Sequence, residues 1–304
     1  MGVILNKTAK VFSLILFKIV VLTSCQPKNK TNDQFLKSIE NTRIVNGEIT
    51  KADTAPFNSV VGIFDAEFQF ACTGTLIASS TVLTAGHCIE SSSKSLYIVF
   101  SNHLIETIKL GFDVSQNAQI RKVTNAMVHP DYNANSDGGS EFGMNDLAVL
   151  HFEGLPPAPY KPIQLDQSVP AEKELVILSG FGVSDVQVNG VDGARVPNIA
   201  ELIDQGSVIC FDKKNTQCVE IIMTGDGPLR STIAPVSSIE GSEFLNDETE
   251  SGTCSGDSGG PAFRGRGQDY VLTGVTSRGS LRCNKDGVYT LVSKYLKWIS
   301  ARLK

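Results

Sequence analysis

Histidine is scarce in this chain, with four residues in 304. His87, His103, His129 and His151 form no HExxH pair and no ligand set with closely spaced cysteines, so metal-dependent hydrolysis has no support and no metal is expected. No calcium-binding loop can be identified either, and no cofactor is expected. Excess positive charge is also absent: 27 Lys and Arg stand against 32 Asp and Glu, a net charge of -5. A polynucleotide partner needs a basic patch, so nucleic acid is excluded. Long apolar runs of helical period are few, and no repeat of solenoid length occurs. The apolar stretch over residues 11–17, resumed over 19–22 after Lys18, is too short to span a bilayer.

What is present points to strands and turns. The 27 glycines supply positive-φ corners, and short β-rich runs recur at residues 59–64, 74–78, 96–100 and 147–152. An all-β protein is expected, with 41% hydrophobic residues and length enough for a sizeable core. Residues 91–95, 133–143 and 188–197 read as loops by composition. The acidic segment 237–252, which carries Glu240, Glu243, Asp247, Glu248 and Glu250, reads as a solvated surface loop. Val292, Tyr295, Leu296 and Ile299 sit at helical spacing and predict one closing amphipathic helix.

The N-terminus has the form of an export signal, with Lys7 and Lys10 ahead of the apolar stretch. Its end, Leu22 to Cys25, resembles the lipobox of bacterial lipoproteins, so residues 1–25 are assigned as a signal peptide ending at a lipidated Cys25. Polar residues 26–43 read as a propeptide or linker. Seven cysteines less Cys25 leave six, an even number that an oxidising compartment would join as three disulfides. Spacing alone leaves fifteen pairings open.

Three motifs carry chemistry. Gly256 to Pro261 reads GDSGGP. A serine hydroxyl becomes a nucleophile only when a base takes its proton, and the resulting oxyanion needs backbone donors close by. Small residues around Ser258 allow the N–H groups of Gly256 and Ser258 to converge on one point. Leu83 to Cys88, LTAGHC, puts His87 at a strand end, and Asn145 to Leu150, NDLAVL, sends Asp146 into the core. A buried carboxylate needs a partner, and the His87 ring is the natural one.

In the order His, Asp, Ser, these motifs resemble the chymotrypsin and trypsin family of serine peptidases, over roughly residues 44–304. The GFG segment at Gly180, Ser277, and GVYT from Gly287 belong to the same likeness. The resemblance implies two packed six-stranded antiparallel β-barrels with a C-terminal helix and a site in the cleft between them. It implies His87, Asp146 and Ser258 as the triad, an oxyanion hole of Gly256 and Ser258, and a Ser277 hydrogen bond to Asp146. It also implies disulfides Cys72–Cys88, Cys254–Cys283 and, for the remaining pair, Cys210–Cys218. Residues 192–252 depart most from the family pattern.

Arg43 to Gly47, RIVNG, resembles the family's activation junction. Cleavage after Arg43 would free the Ile44 amino group to pair with Asp257 and switch on a secreted or envelope-tethered precursor. The pocket positions Gly252, Ser277, Gly279 and Gly287 carry no charge, so a bulky apolar side chain is expected before the scissile bond. A preference for Lys or Arg is the alternative, with Glu250 or Asp286 as the carboxylate. A non-catalytic binding protein on the same fold is the remaining reading. Arg278 stands where the family has an aromatic residue, which would favour acidic residues further upstream in the substrate. The implied partners are protein or peptide substrates and a separate trypsin-like activating protease. A monomer is expected, with Cys25 tethering the precursor to a membrane until cleavage releases it.

Overall fold

The computed structural model describes residues 48–89, 94–113, 115–133, 143–266 and 269–303. Strand β1 (Glu48–Ile49) precedes a closed barrel of β2 (Val60–Asp65), β3 (Phe70–Ala78), β4 (Thr81–Thr84), β5 (Leu96–Val99), β6 (Ile120–Val128) and β7 (Ala148–Phe152), joined in the order β2-β3-β4-β7-β6-β5. Its strands are rich in Val, Ile and Leu, whose branched side chains pack on a pleated surface. All six residues of β2 and all five of β7 are buried.

The short β8 (Gln164–Leu165) leads to β9 (Leu175–Gly180), and β10 (Asp185–Val191), β11 (Val208–Cys210) and β12 (Cys218–Thr224) follow. Strands β13 (Arg230–Glu240), β14 (Glu243–Asn246), β15 (Pro261–Arg266), β16 (Asp269–Arg278) and β17 (Gly287–Leu291) complete the set. Strands β13, β14, β17, β16, β15 and β9 pair in that order, and β9 returns to β13, closing a second six-stranded antiparallel barrel. The three α-helices among the described residues are short: α1 (Leu104–Ile108), α2 (Ile199–Asp204) and α3 (Leu296–Ser300). The two barrels and the closing helix are those the resemblance implies. Helix α3 buries Ile299 in a core cluster that also holds Phe263, Leu272 and Val275 of the second barrel and Val82, Leu83 and Val149 of the first. That shared core fixes the cleft between the barrels.

Two loop assignments are corrected. Residues 188–191 of the expected loop 188–197 belong instead to strand β10, paired in register with β12, which pairs with β11 in a third, three-stranded sheet between β9 and β13. Val186 and Val188 alternate with polar neighbours, a period-two signal that loop-like composition obscured. Nor is the acidic segment all solvated: it supplies the end of β13 and all of β14, and buries Glu243 and Glu248.

Candidate active site

Strand β4 ends in a single 3-10 turn, Gly86–Cys88, that carries His87 at the mouth of the cleft with its side chain about one-third exposed (32%). Asp146 lies just ahead of β7 and is buried. Asn145 before it takes a left-handed conformation (φ 53°), which Asn tolerates better than most residues. The Asn145 amide donates to the carbonyls of Asp131 and Gly143, and the Tyr295 hydroxyl donates to Asn145 Oδ1 at 2.7 Å, so the turn that sends Asp146 inward is held on both sides.

Asp146 gathers three donors. His87 donates its backbone N–H to Oδ1 at 3.0 Å, His87 Nδ1 lies 2.8 Å from Oδ2, and the Ser277 hydroxyl donates to Oδ2 at 2.6 Å. Burial alone would push the carboxyl up, but the His87 ring, the Ser277 hydroxyl and the His87 N–H outweigh it and hold Asp146 below its ordinary range. An ionised Asp146 keeps the proton of His87 on Nδ1 and leaves Nε2 as the basic nitrogen.

Ser258 sits in a turn pinned to the first barrel. Thr73 of β3 donates its N–H to the Ser258 carbonyl at 2.9 Å and its hydroxyl to the Gly256 carbonyl at 2.8 Å. The adjacent Cys72–Cys88 disulfide ties the same strand to the His87 turn. Gly256 has φ +93°, a conformation few other residues adopt. Val183 donates to the Ser255 carbonyl at 2.9 Å, and because a trans peptide points its C=O and N–H in opposite directions, this bond sets the direction of the Gly256 N–H. Among the described residues, neither the Gly256 nor the Ser258 N–H has an acceptor, as a site for an incoming oxyanion requires.

Asp257, between them, is wholly buried and accepts from Gly182 N at 2.8 Å and Cys254 N at 2.9 Å. Burial pushes its carboxyl up to about 7 against those two donors and the positive charge of Arg230. Gly182 has to be glycine, since a Cβ there would stand 2.6 Å from the Asp257 carboxylate and 2.7 Å from the Ser255 carbonyl.

Beside Ser258 opens a cavity of about 250 Å³ lined by Thr253, Cys254, Ser277, Gly279 and Cys283, so two of the four anticipated pocket residues are on its wall. Gly252 and Gly287 are not on its wall. A Cβ on either would overlap the carboxylate of Glu248, which fills the space between them. Glu248 accepts from the Thr253 N–H at 2.8 Å, from the Thr253 hydroxyl and from the Tyr289 hydroxyl. Burial pushes its carboxyl up to about 8, against those bonds and with the help of nearby Asp257. Gly252 and Gly287 carry no charge themselves, as expected from sequence; a carboxyl group from the loop after β14 occupies the space between them. Glu250 and Asp286, the acids considered from sequence, are exposed.

Arg278 needs a correction. Its guanidinium pairs with the wholly buried Glu243, Nη1 to Oε1 at 3.0 Å and Nη2 to Oε2 at 2.8 Å. A bidentate pair satisfies both charges, so Arg278 is not an open cation awaiting acidic residues of a substrate. Neither Glu243 nor Glu248 was identified from the sequence, because nothing in a run of acids marks which of them turn inward.

All three disulfides pair as the resemblance implies: Cys72–Cys88, Cys210–Cys218 and Cys254–Cys283. Cys72, His87 and Cys88 cluster closely enough for a metal, but the two sulfurs are bonded to each other and unavailable as thiolates. His151 is a core residue whose Nε2 meets the Arg302 carbonyl at 2.7 Å, and His129 packs on Tyr295 and Trp298. Arg43, Ile44 and Cys25, with the assigned signal peptide and propeptide, lie outside the described residues.

Residues 44–299 match the family model for trypsin. The chain belongs to the trypsin family of serine peptidases, and its paired barrels have that family's fold. Among curated relatives, rat vitamin K-dependent protein C is 30% identical over 283 residues, covering 84% of this chain and 51% of the relative. Glandular kallikrein-10 of Rattus norvegicus is 27% identical over 277 residues, covering 86% and 90%. The chain thus spans about half the length of protein C. The solved structure of neuropsin, a serine protease expressed in the limbic system of mouse brain, superposes with a TM-score of 0.56 at 21% identity, over 83% of this chain and 96% of that one, a likeness of fold.

Proposed function

We propose that this protein is an exported serine endopeptidase made as an inactive precursor. The observation that carries the reading is the hydrogen-bonded row Ser277, Asp146, His87 at the cleft, beside a serine turn with two unengaged N–H groups. In the proposed reaction Ser258 Oγ attacks the substrate carbonyl while His87 Nε2 takes its proton. The oxyanion settles on the N–H groups of Gly256 and Ser258. The imidazolium then protonates the leaving amine, giving an acyl-enzyme that water, deprotonated by the same ring, hydrolyses. Asp146 stabilises the imidazolium throughout.

Precursor control rests on Asp257. Asp257 is wholly buried and feels the charge of Arg230 but forms no ion pair with it, and cleavage after Arg43 would supply a directly paired cation as the new ammonium of Ile44. Three disulfides suit an oxidising, extracellular setting. Export through residues 1–25, a lipid on Cys25 and release of residues 44–304 on activation complete the proposal. The test is the initial rate of a form beginning at Ile44 on peptide amides, with Ser258→Ala as control. Turnover abolished by the substitution supports the reading; no turnover of any substrate would favour a binding protein on this fold.

A further inference from the structure

We propose that Glu248 is the specificity-determining residue of the pocket beside Ser258, its carboxylate receiving the charged tip of a Lys or Arg side chain that enters past Thr253. This rests on the endopeptidase reading above and names the substrate class of the same site.

Three observations converge. First, the position is right: Glu248 packs directly against Gly252 and Gly287, two of the pocket positions expected from sequence, and its two oxygens meet the hydroxyl of Thr253, a residue of the cavity wall. One hydroxyl therefore separates the carboxylate from the open cavity. Second, the carboxylate lacks a cation. Buried Glu243 has Arg278 and buried Asp166 has Arg264, whereas among the described residues no Lys or Arg lies within ion-pair distance of Glu248. A buried acid without a counter-charge is expensive, and an arriving guanidinium or ammonium would supply it. Third, its surroundings accommodate either protonation state. Thr253 N–H and the hydroxyls of Thr253 and Tyr289 can donate to the ionised form, and each hydroxyl can accept from the protonated one.

The groups facing Glu248 are Tyr289 from β17, Thr253 from the serine loop and the like charge of Asp257. With its carboxyl raised to about 8 by burial, the empty pocket is largely neutral at lower pH and anionic above. The preference for cations therefore rises with pH. Arg43 itself would then fit the pocket, so the mature enzyme could process its own precursor, in place of the separate protease expected from a neutral pocket.

The experiment compares the form beginning at Ile44 with its Glu248→Gln variant on peptide amides ending in Arg, Lys, Phe or Leu. The expected result is faster cleavage after Arg and Lys, falling about a hundredfold in Glu248→Gln while Phe and Leu substrates change only a few-fold. A wild-type preference for Phe or Leu, or an Arg-to-Phe ratio unmoved by the substitution, overturns the proposal. Should the variant not fold, benzamidine binding to the Ser258→Ala protein is measured by calorimetry from about pH 6 to about pH 9. Affinity rising towards about pH 8 and then levelling supports Glu248; no binding, or pH-independent binding, refutes it. Because this second measurement needs no turnover, it separates failure of the pocket assignment from failure of the endopeptidase reading.

Discussion

Replacing Ser277 by Ala removes one of the three donors that hold Asp146 below its ordinary carboxyl range, and the consequences can be worked through. The lost bond is short, buried and made to a charged group, which sets its contribution at about 1.5–3 kcal/mol. With that bond gone, the Asp146 carboxyl should rise. It remains ionised at neutral pH, because the His87 ring and N–H still hold it. If the whole loss is felt when the imidazolium forms, kcat/KM falls by about tenfold to a hundredfold at pH 7. The stability effect has a definite sign. An acid lowered in the folded state contributes stability above its unfolded value of 3.8, and that contribution disappears as pH falls through the folded value. In a Ser258→Ala background, which prevents self-digestion, urea unfolding should therefore show Ser277→Ala destabilised by about 1.5–3 kcal/mol at pH 7 and much less at an acid pH below the folded Asp146 value. Equal destabilisation at both pH values would mean that Ser277 acts through packing and not through the Asp146 charge, and the reasoning would be wrong.

Other substitutions probe the remaining parts of the site. Gly182→Ala should destabilise the fold by about 1–3 kcal/mol and lower kcat more than it raises KM, since the new methyl pushes on the carbonyl that sets the Gly256 N–H; steady-state kinetics with a denaturation curve checks this. Arg278→Ala strands Glu243 as a buried, unpaired acid and should cost about 3–5 kcal/mol, with Glu243→Gln on the same chain recovering part of it in a double-mutant cycle. Opening Cys210–Cys218 should leave kcat/KM almost unchanged because it closes a short hairpin in the third sheet, whereas opening Cys254–Cys283, which forms the pocket wall, should raise KM severalfold; purified double Cys→Ser variants decide it.

The site was legible in sequence where chemistry and backbone geometry coincide. GDSGGP, LTAGHC and NDLAVL name residues whose backbone the fold uses directly: Gly256 for its positive φ, Asn145 for the turn into the core, His87 at a strand end. The barrel strands were legible from runs such as 59–64 and 147–152, where burial on both faces leaves continuous apolar stretches. What escaped notice are polar groups that turn inward because of partners distant in sequence. Glu243 is buried by Arg278, and Glu248 by Thr253 and by Tyr289, 41 residues on. An acidic run looks the same whether its members face water or one another's counter-charges, so only the closing of β14 onto β17 distinguishes them. The third sheet was missed for a related reason: β10 alternates weakly, and its partner β12 lies beyond an intervening helix.

Asp257 and Glu248 make the serine loop dependent on charge from elsewhere. Both are buried acids, raised to about 7 and about 8, and Asp257 adds to the rise of Glu248. In the proposed scheme each receives its cation from a different source, Asp257 from the Ile44 ammonium and Glu248 from the substrate. An acid raised in the folded state contributes stability that is complete below its unfolded value and is lost as pH climbs to its folded one. For Asp257 that window runs from 3.8 to about 7, and pairing with the ammonium should close it. Measured in the Ser258→Ala background, the precursor should therefore lose stability across this window more steeply than the form beginning at Ile44, by up to about 1.4 kcal/mol per pH unit. Glu248 is common to both forms and should give both the same residual slope, which saturating benzamidine then reduces. Identical slopes without benzamidine would show that cleavage brings no counter-charge to Asp257, and precursor control would have to reside in another part of the chain.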